Sequence, residues 1–295
     1  MKKVVNFIMF RVLPKVIFIV GLIIALYPWI SDYVYKDRMS NVVTEYEKTV
    51  DENKEKYTRL RQIGVRYNKD LMLQVTTFYD PFDANRIRSE LQKKYESYED
   101  FPINIGDLVG TVSIPKIDVK LPIYFGTTDT ILQGGVGLLR ESSLPLEGKG
   151  VHSVLTGHTG LSNKKLFTDL NQLKEGDMFF VSCMGNKLAY KVFNIEVVLP
   201  DDLSSLYIQK DKNLCTLVTC TPYGVNSHRL LVIGKKVKYS EELENSQKKG
   251  DYSSDWKKEY FICVVIGLLV VVVIGFTIGR KGRRNAKKKK GKKNS

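Results

Sequence analysis

One thiol lies where a predicted strand gives way to a loop. Alternate residues of a strand lie on opposite faces, so within residues 214–220 Cys215 and Cys220 face opposite ways. Cys220 is followed by a Pro- and Gly-containing loop at 221–226, and catalytic side chains often lie at such edges of a rigid scaffold. Cys215 is predicted to fill the core, and Cys183, beside a hairpin turn, is predicted to pack. Cys220 is therefore the candidate nucleophile.

A nucleophilic cysteine needs a group that handles protons and a donor that stabilises charge on the attacked carbonyl. His158 follows a predicted strand, and the glycines beside it are expected to leave the imidazole uncrowded. Arg229 follows Cys220 by nine residues across one loop, a spacing that lets adjacent antiparallel strands present both side chains at one end. Each residue alone is more often structural or solvated, but together they form a candidate Cys-His-Arg site.

The positive charge of the chain is confined to its two ends. The protein has 295 residues and a formal net charge of +14, from 46 Lys and Arg against 32 Asp and Glu. Residues 1–15 carry four basic side chains and no acid, and residues 280–295 carry ten, again without an acid. The basic ends thus hold the whole excess. The rest of the chain has no surplus with which to bind phosphates, so we expect no nucleic-acid partner.

Both basic ends adjoin apolar runs. Residues 260–278 contain no charge over nineteen positions, which as a helix spans a hydrocarbon core of about 30 Å. Residues 16–30 are shorter; they end in Tyr-Pro-Trp-Ile rather than a small-residue cleavage site, which favours a retained membrane helix over the alternative, a cleaved signal peptide. Because cationic flanks stay in the cytoplasm, we expect two membrane passes, cytoplasmic termini and residues 31–259 outside the cell.

Between these runs, helical patterning precedes strand patterning. Apolar spacing and a Thr44-x-x-Glu47 capping box predict a helix over 41–73, and a second helix is predicted over 84–98. From residue 108 apolar positions alternate as in strands, interrupted by Gly and Pro turns and by one short predicted helix at 165–173. This order predicts a mainly β catalytic domain, either a closed barrel or a sandwich.

These residues match a known family pattern. The run Thr216-Leu217-Val218-Thr219-Cys220-Thr221-Pro222-Tyr223, followed by Asn226-Ser227-His228-Arg229, closely resembles the signature of sortases, the cysteine transpeptidases of Gram-positive cell surfaces. Residues 151–158 resemble the strand that carries the family's histidine. The resemblance extends over roughly residues 75–238. It implies that His158, Cys220 and Arg229 are the catalytic residues.

Two features resemble the pilus-assembling class C sortases: the Asp80-Pro81-Phe82 motif, similar to that of a lid over the active site, and the C-terminal membrane helix. The resemblance implies a closed eight-stranded β-barrel with an N-terminal helical extension. Residues 135–145 and Thr159 depart from common patterns of the family, which bears on substrate choice. The expected segments are a cytoplasmic N-terminus (1–15), a membrane helix (16–30), a helical extension with the lid (31–100), the barrel (101–239), a linker (240–259), a membrane helix (260–279) and a cytoplasmic tail (280–295).

The resemblance also implies substrates and partners. The expected donor is a pilin or surface protein with a C-terminal Leu-Pro-x-Thr-Gly-like signal, cleaved between Thr and Gly through a thioacyl intermediate on Cys220. The expected acceptor is a pilin lysine or a cell-wall precursor amine, and the expected surroundings are membrane lipids, with no cofactor and no metal. Anchoring of single proteins to the wall, hydrolysis and a non-catalytic scaffold remain alternatives. Pairing between Cys183 and Cys215 also stays open.

Overall fold

The structure, a computed structural model of the chain, describes residues 13–73, 78, 80–83, 103–160, 164–247 and 260–267. Two compact units divide them, one holding residues from 26 to 247 and the other the first part of helix α1 with residues 260–267. Helix α1 is Leu13–Glu52 and helix α2 is Lys54–Leu73. Within the described residues, α1 alone is long and apolar enough to cross a membrane.

The helix predicted over 41–73 is present, but it begins earlier and is divided in two, and Thr44 does not cap it. Helix α1 passes through this position without a break, and the Thr44 hydroxyl donates to the carbonyl of Ser40 at 2.8 Å, one turn earlier. A mid-helix threonine bonded in this way satisfies its hydroxyl without capping anything. The break comes instead at Asn53, where the chain leaves α1 and enters α2.

Eight strands form a closed barrel, as the family resemblance implies. Their order around the barrel is β1-β2-β3-β4-β7-β8-β6-β5. All neighbours are antiparallel except β2 with β3 and β4 with β7, which are parallel. The strands are β1 (Leu108–Ile114), β2 (Val119–Phe125), β3 (Val136–Leu138), β4 (Val151–Thr156), β5 (Met178–Cys183), β6 (Asn186–Val198), β7 (Asn213–Thr221) and β8 (His228–Val237).

The sequence predicts a hairpin of residues 178–183 and 187–198 with its turn at Gly185-Asn186, and the hairpin is present with its turn one residue earlier. Met184 and Gly185 form the two-residue turn between β5 and β6, both with positive φ, and Asn186 already belongs to β6. Two-residue turns with positive φ match the right-handed twist of the flanking strands. Pro122 lies inside β2, at a position where β3 has not yet begun to pair with that strand, so the missing N–H costs no bond to β3.

The helices pack directly on the barrel. The Tyr46 hydroxyl of α1 donates to the Val109 carbonyl of β1 at 2.7 Å, and it accepts from the Met184 N–H at 3.1 Å. Arg61 of α2 donates to the Met184 carbonyl at 2.6 Å. Tyr67 and Leu71 of α2 join the apolar core formed by the barrel interior. Helix α2 and the part of α1 around Tyr46 therefore support the barrel.

Short connecting elements differ in detail from the sequence expectations. Helix α3 (Asp129–Gly134) lies between β2 and β3. The helix predicted over 165–173 reduces to turns and one 3₁₀ turn at Leu170–Gln172, and the predicted linker after residue 239 begins with helix α4 (Glu241–Ser246), capped by Ser240. Residues 260–267 are helical. The helix predicted over 84–98 lies outside the described residues.

Candidate active site

Strand register brings Cys220 and Arg229 side by side. They are direct partners across the antiparallel pair of β7 and β8. On the other side of β7, the parallel strand β4 pairs Thr156 with Val218, and the Gly157 N–H continues this ladder to the Val218 carbonyl at 3.0 Å. Since the two parallel chains advance together, His158 lies level with Cys220. The three predicted site residues thus meet at one end of the barrel.

Two hydrogen bonds hold the backbone around His158. The Thr219 hydroxyl, from the residue before Cys220, donates to the Gly157 carbonyl at 2.7 Å. The Phe167 N–H donates to the His158 carbonyl at 3.1 Å. A Cβ at Gly157 would lie 2.8 Å from the Phe167 ring, so this glycine makes room for Phe167. The expectation that the glycines leave the imidazole uncrowded stays a prediction.

Arg229 is nearly buried and held on several sides. Its Nη1 donates to the backbone carbonyls of Asn226 and His228, each at 3.0 Å. Its Nε and Nη2 donate to the two carboxylate oxygens of Asp80 at 2.8 and 2.5 Å. The side chains of Arg229 and Asp80 are 8% and 11% exposed. A bidentate, largely desolvated pair of this kind is among the stronger side-chain contacts in proteins.

The segment Asp80-Pro81-Phe82 lies over the site. The Phe82 ring centroid is 5.5 Å from the His158 ring centroid. The Arg229 guanidinium carbon lies 5.1 Å from the Phe82 ring centroid. Pro81 is buried, and the Phe82 N–H donates to the Asp80 carboxylate at 3.3 Å. Upstream, buried Phe78 packs edge-on against Tyr207, with 5.4 Å between ring centroids. The sequence predicts a lid in which Asp80 pairs with Arg229 and Phe82 covers Cys220, and the Asp80–Arg229 contact is present.

Burial under this segment acts against the charged forms of both candidate catalytic groups. Desolvation raises the pKa of the Cys220 thiol, an effect that Arg229 opposes and Asp80 reinforces. Desolvation also lowers the pKa of His158, with Lys164 adding to the shift and Asp129 opposing it. The pKa of Arg229 is raised: burial opposes its charge, but hydrogen bonding and attraction to Asp80 and attraction to Cys220 outweigh burial. The covered site therefore favours neutral thiol and neutral imidazole.

The other thiols and His152 lie away from this site. Cys183 and Cys215 are unpaired and fully buried, which confirms their predicted packing roles. Buried His152 donates from Nδ1 to the Tyr207 carbonyl at 3.1 Å and accepts at Nε2 from the Thr216 hydroxyl at 2.7 Å. Desolvation lowers its pKa to about 4, so the ring is neutral and structural. No group of three or more His, Cys, Asp or Glu within the described ranges is arranged to hold a metal.

Sequence reasoning missed the contacts that support the site. Thr219 has a signal in the sequence, because the hydroxyl of a threonine inside a buried strand is in most cases hydrogen-bonded. The carbonyls of Asn226 and His228, which accept from Arg229, depend on the local path of the loop and have no such signal.

Comparison with known proteins bears on this geometry. A family model described as a sortase domain matches residues 112–237. Sortase D of Bacillus subtilis is 31% identical over 140 residues, which covers 46% of this chain and 68% of the relative. The chain belongs to the sortase family. Members of this family are cysteine transpeptidases, and this chain is one.

Solved structures narrow the assignment. Sortase C of Clostridium perfringens, with the C-terminal cell wall sorting motif, is 39% identical and has a TM-score of 0.58, covering 68% of this chain and 100% of the relative. Sortase C of Streptococcus pneumoniae is 37% identical and has a TM-score of 0.59, covering 68% and 97%. This sortase is thus of the class C type.

Proposed function

We propose that this sortase is a membrane-bound pilin polymerase. It cleaves a Leu-Pro-x-Thr-Gly-like signal between Thr and Gly and joins the new carboxyl end to a lysine of another pilin. The solved relatives support this proposal, since the Clostridium perfringens structure includes a cell wall sorting motif and the Streptococcus pneumoniae structure bears on pilin substrate specificity. The observation that carries it is the strand register, which aligns Cys220 with Arg229 on one side and His158 on the other.

The chemistry has two acyl transfers. The Cys220 thiolate attacks the Thr carbonyl, a C–S bond forms, and the Thr–Gly C–N bond breaks as His158 gives its proton to the leaving amine. In the second transfer the lysine amine attacks the thioester, His158 takes up the proton, and Cys220 leaves as thiolate while the isopeptide bond forms. Arg229 supplies fixed N–H donors to the carbonyl oxygen on which negative charge develops.

Access to these groups requires movement of the lid, which we define as residues 80–82. Asp80 occupies the Nε and Nη2 donors of Arg229, and Phe82 lies against both His158 and Arg229. An acidic side chain on the guanidinium and an apolar ring beside the imidazole fill the place of a bound peptide. We propose that the lid holds the resting enzyme in an inactive state and that substrate binds after the lid opens.

The protonation state of the resting site agrees with this view. With unperturbed pKa values near 8.5 for Cys and 6.5 for His, thiolate and imidazolium coexist in only about 1% of molecules. The raised pKa of Cys220 and lowered pKa of His158 reduce that fraction further under the closed lid. Opening the lid hydrates both groups, so it increases the reactive ion pair as well as access.

The proposed location is the cell membrane, with the barrel outside. Helix α1 supports the first pass, since it contains a window with a mean hydropathy of 1.8. The second pass over residues 260–279 and the cytoplasmic position of both ends rest on the charge distribution of the sequence. Protease protection of tags placed at each end of the chain in intact cells tests this two-pass topology.

The activity is tested with the full chain in detergent, a peptide bearing the sorting signal, and a pilin domain with an acceptor lysine. We expect a thioacyl adduct on Cys220 by mass spectrometry and covalent pilin ladders, both lost in Cys220→Ala. Cys215→Ala, which removes a buried thiol outside the site, is the matched control. Cleavage without ladders contradicts polymerisation and favours hydrolysis or single-protein anchoring, whereas the absence of any adduct contradicts a catalytic role for Cys220.

A further inference from the structure

Near the end of α2, the side chain of Asn68 forms two hydrogen bonds to the backbone of one residue, as a neighbouring strand would. Asn68 donates from its amide nitrogen to the Leu144 carbonyl at 2.8 Å, and its amide oxygen accepts from the Leu144 N–H at 2.8 Å. Both residues are buried, Asn68 being 4% exposed. The side chain thus pairs with both backbone groups of Leu144. The Leu144 N–H would otherwise be buried without a partner, whereas the carbonyl also accepts from the Leu146 N–H at 2.8 Å.

Neighbouring contacts show that this part of α2 is fitted to the same loop, residues 139–150 between β3 and β4. The Tyr67 hydroxyl donates to the Arg140 carbonyl at 2.8 Å. A Cβ at Gly64 would lie 2.9 Å from a methyl carbon of Leu144, so the helix and the loop approach closely there. The contacts between α2 and loop 139–150 therefore form one interface that extends over more than one turn of the helix.

The same loop contributes a residue to the apolar cluster against which the lid packs. Leu139, five residues before Leu144, packs in one buried apolar cluster with Phe78 and with Val154 of β4, and Phe82 packs against that cluster. Only six residues separate Leu73, the last residue of α2, from Asp80. Loop 139–150 is therefore bonded to α2 through Asn68, and its residue Leu139 shares an apolar cluster with Phe78, two positions before the lid.

We propose that Asn68 is a positioning residue for the lid. Asn68 fixes the last turns of α2 on loop 139–150. The six residues that lead from Leu73 to Asp80 then start from a fixed position, which keeps the Asp80 carboxylate near Arg229. Without Asn68 these turns fray, and closure of the lid must re-order the released residues. This inference rests on the proposed gating of the active site by the lid.

The expected change in the open fraction of the lid follows from the entropy of ordering the backbone. Fixing the backbone of one residue lowers an equilibrium constant about fivefold or more, so release of even one residue of α2 raises the open fraction of the lid by about fivefold. The measurement is the rate of Cys220 alkylation by iodoacetamide in the full chain in detergent. It is followed on the Cys220 peptide by mass spectrometry, which separates this thiol from Cys263.

The variant is Asn68→Ala, in the native lid and in a chain that also carries Asp80→Ala and Phe82→Ala. We expect alkylation about fivefold faster with the native lid and unchanged when the lid is disabled. Asn41→Ala, which removes an exposed asparagine of α1, is the matched control and should change neither rate. Thermal unfolding of each variant reports whether the barrel is intact.

Each other outcome has a distinct meaning. Equal acceleration in both lid backgrounds overturns the inference, because Asn68 would then act on the site through β4 instead of the lid. No acceleration with the native lid, when disabling the lid does accelerate, overturns the inference and leaves the gating proposal standing. No acceleration from disabling the lid overturns both. If Asn68→Ala does not fold, Tyr67→Phe is tested for the same pattern, and an unchanged rate there overturns the inference.

Discussion

Removing the Asp80 carboxylate tests the central contact of the resting site. In Asp80→Ala the Nε and Nη2 groups of Arg229 lose their acceptor, while Nη1 keeps the carbonyls of Asn226 and His228. Arg229 therefore stays in place, and the main effect falls on the lid. Because the side chains of Asp80 and Arg229 are only about a tenth exposed, solvent screening weakens the attraction between them little.

The magnitude follows from the two charged hydrogen bonds. One hydrogen bond to a charged group contributes about 1.5–3 kcal/mol net, which corresponds to a change of about 10- to 150-fold in an equilibrium constant and is a lower limit for the two together. If the lid is mostly closed at rest, the alkylation rate of Cys220 rises by that factor until the lid is mostly open. The rise should accompany an increase in kcat/KM for the sorting peptide.

The control is Glu52→Ala, which removes the ion pair with Lys48 within α1, a contact of two exposed side chains. It should leave both rates unchanged, since such surface pairs contribute about 0–1 kcal/mol and this one belongs to neither the lid nor the site. An Asp80→Ala rate within twofold of the unmodified chain, with unaltered thermal unfolding, would show that Asp80 does not hold the lid closed.

Three further outcomes are expected. The dependence of kcat/KM on pH should be bell-shaped, and a flat profile between about pH 5 and 10 contradicts the ion-pair account. Disabling the lid through Asp80→Ala should lower the apparent pKa of Cys220 measured by alkylation, because the thiol is hydrated again and a nearby negative charge is lost. For His152, the folded-state pKa of about 4 is below the unfolded value of 6.5, so stability is complete above pH 6.5 and falls by about 3 kcal/mol as pH drops to 4. Urea unfolding of His152→Gln should lose most of that slope, and an unchanged slope would assign it to other groups. Gly157→Ala should cost about 1–3 kcal/mol and most of the activity because its Cβ meets the Phe167 ring, whereas Gly134→Ala, with nothing within 4 Å of the new Cβ, should lower the melting temperature far less.

The catalytic trio could be selected from local sequence because the chemistry restricts residue types and strand periodicity restricts placement. Cys220 precedes a turn and Arg229 follows it, so a hairpin alone nearly determines their pairing. The nearby Cys215 is separated from Cys220 by an odd number of positions, which is enough to place the two thiols on opposite faces. The catalytic roles themselves stay predictions until the variants are measured.

Helix boundaries were predicted less well, for a physical reason. Thr44 has the spacing of a capping box, yet the helix continues because its apolar face stays packed on the barrel through residues such as Tyr46. Tertiary burial of that face outweighs a local capping preference worth about 1 kcal/mol. The turn at Met184 and Gly185 was displaced by one residue for a similar reason, since pairing of β5 with β6 sets the register.

The amino-acid sequence alone determined the balanced charge between two basic ends, the apolar run of α1, the alternation of the strands and the choice of Cys220 as the candidate nucleophile, because each is a property of neighbouring residues. Only the tertiary structure decided that β4 runs parallel to β7 and so brings His158 level with Cys220. It also decided that Asp80 reaches Arg229 across 149 positions and that Asn68 holds Leu144. Contacts between distant segments depend on how the whole barrel closes, and no local pattern encodes that closure.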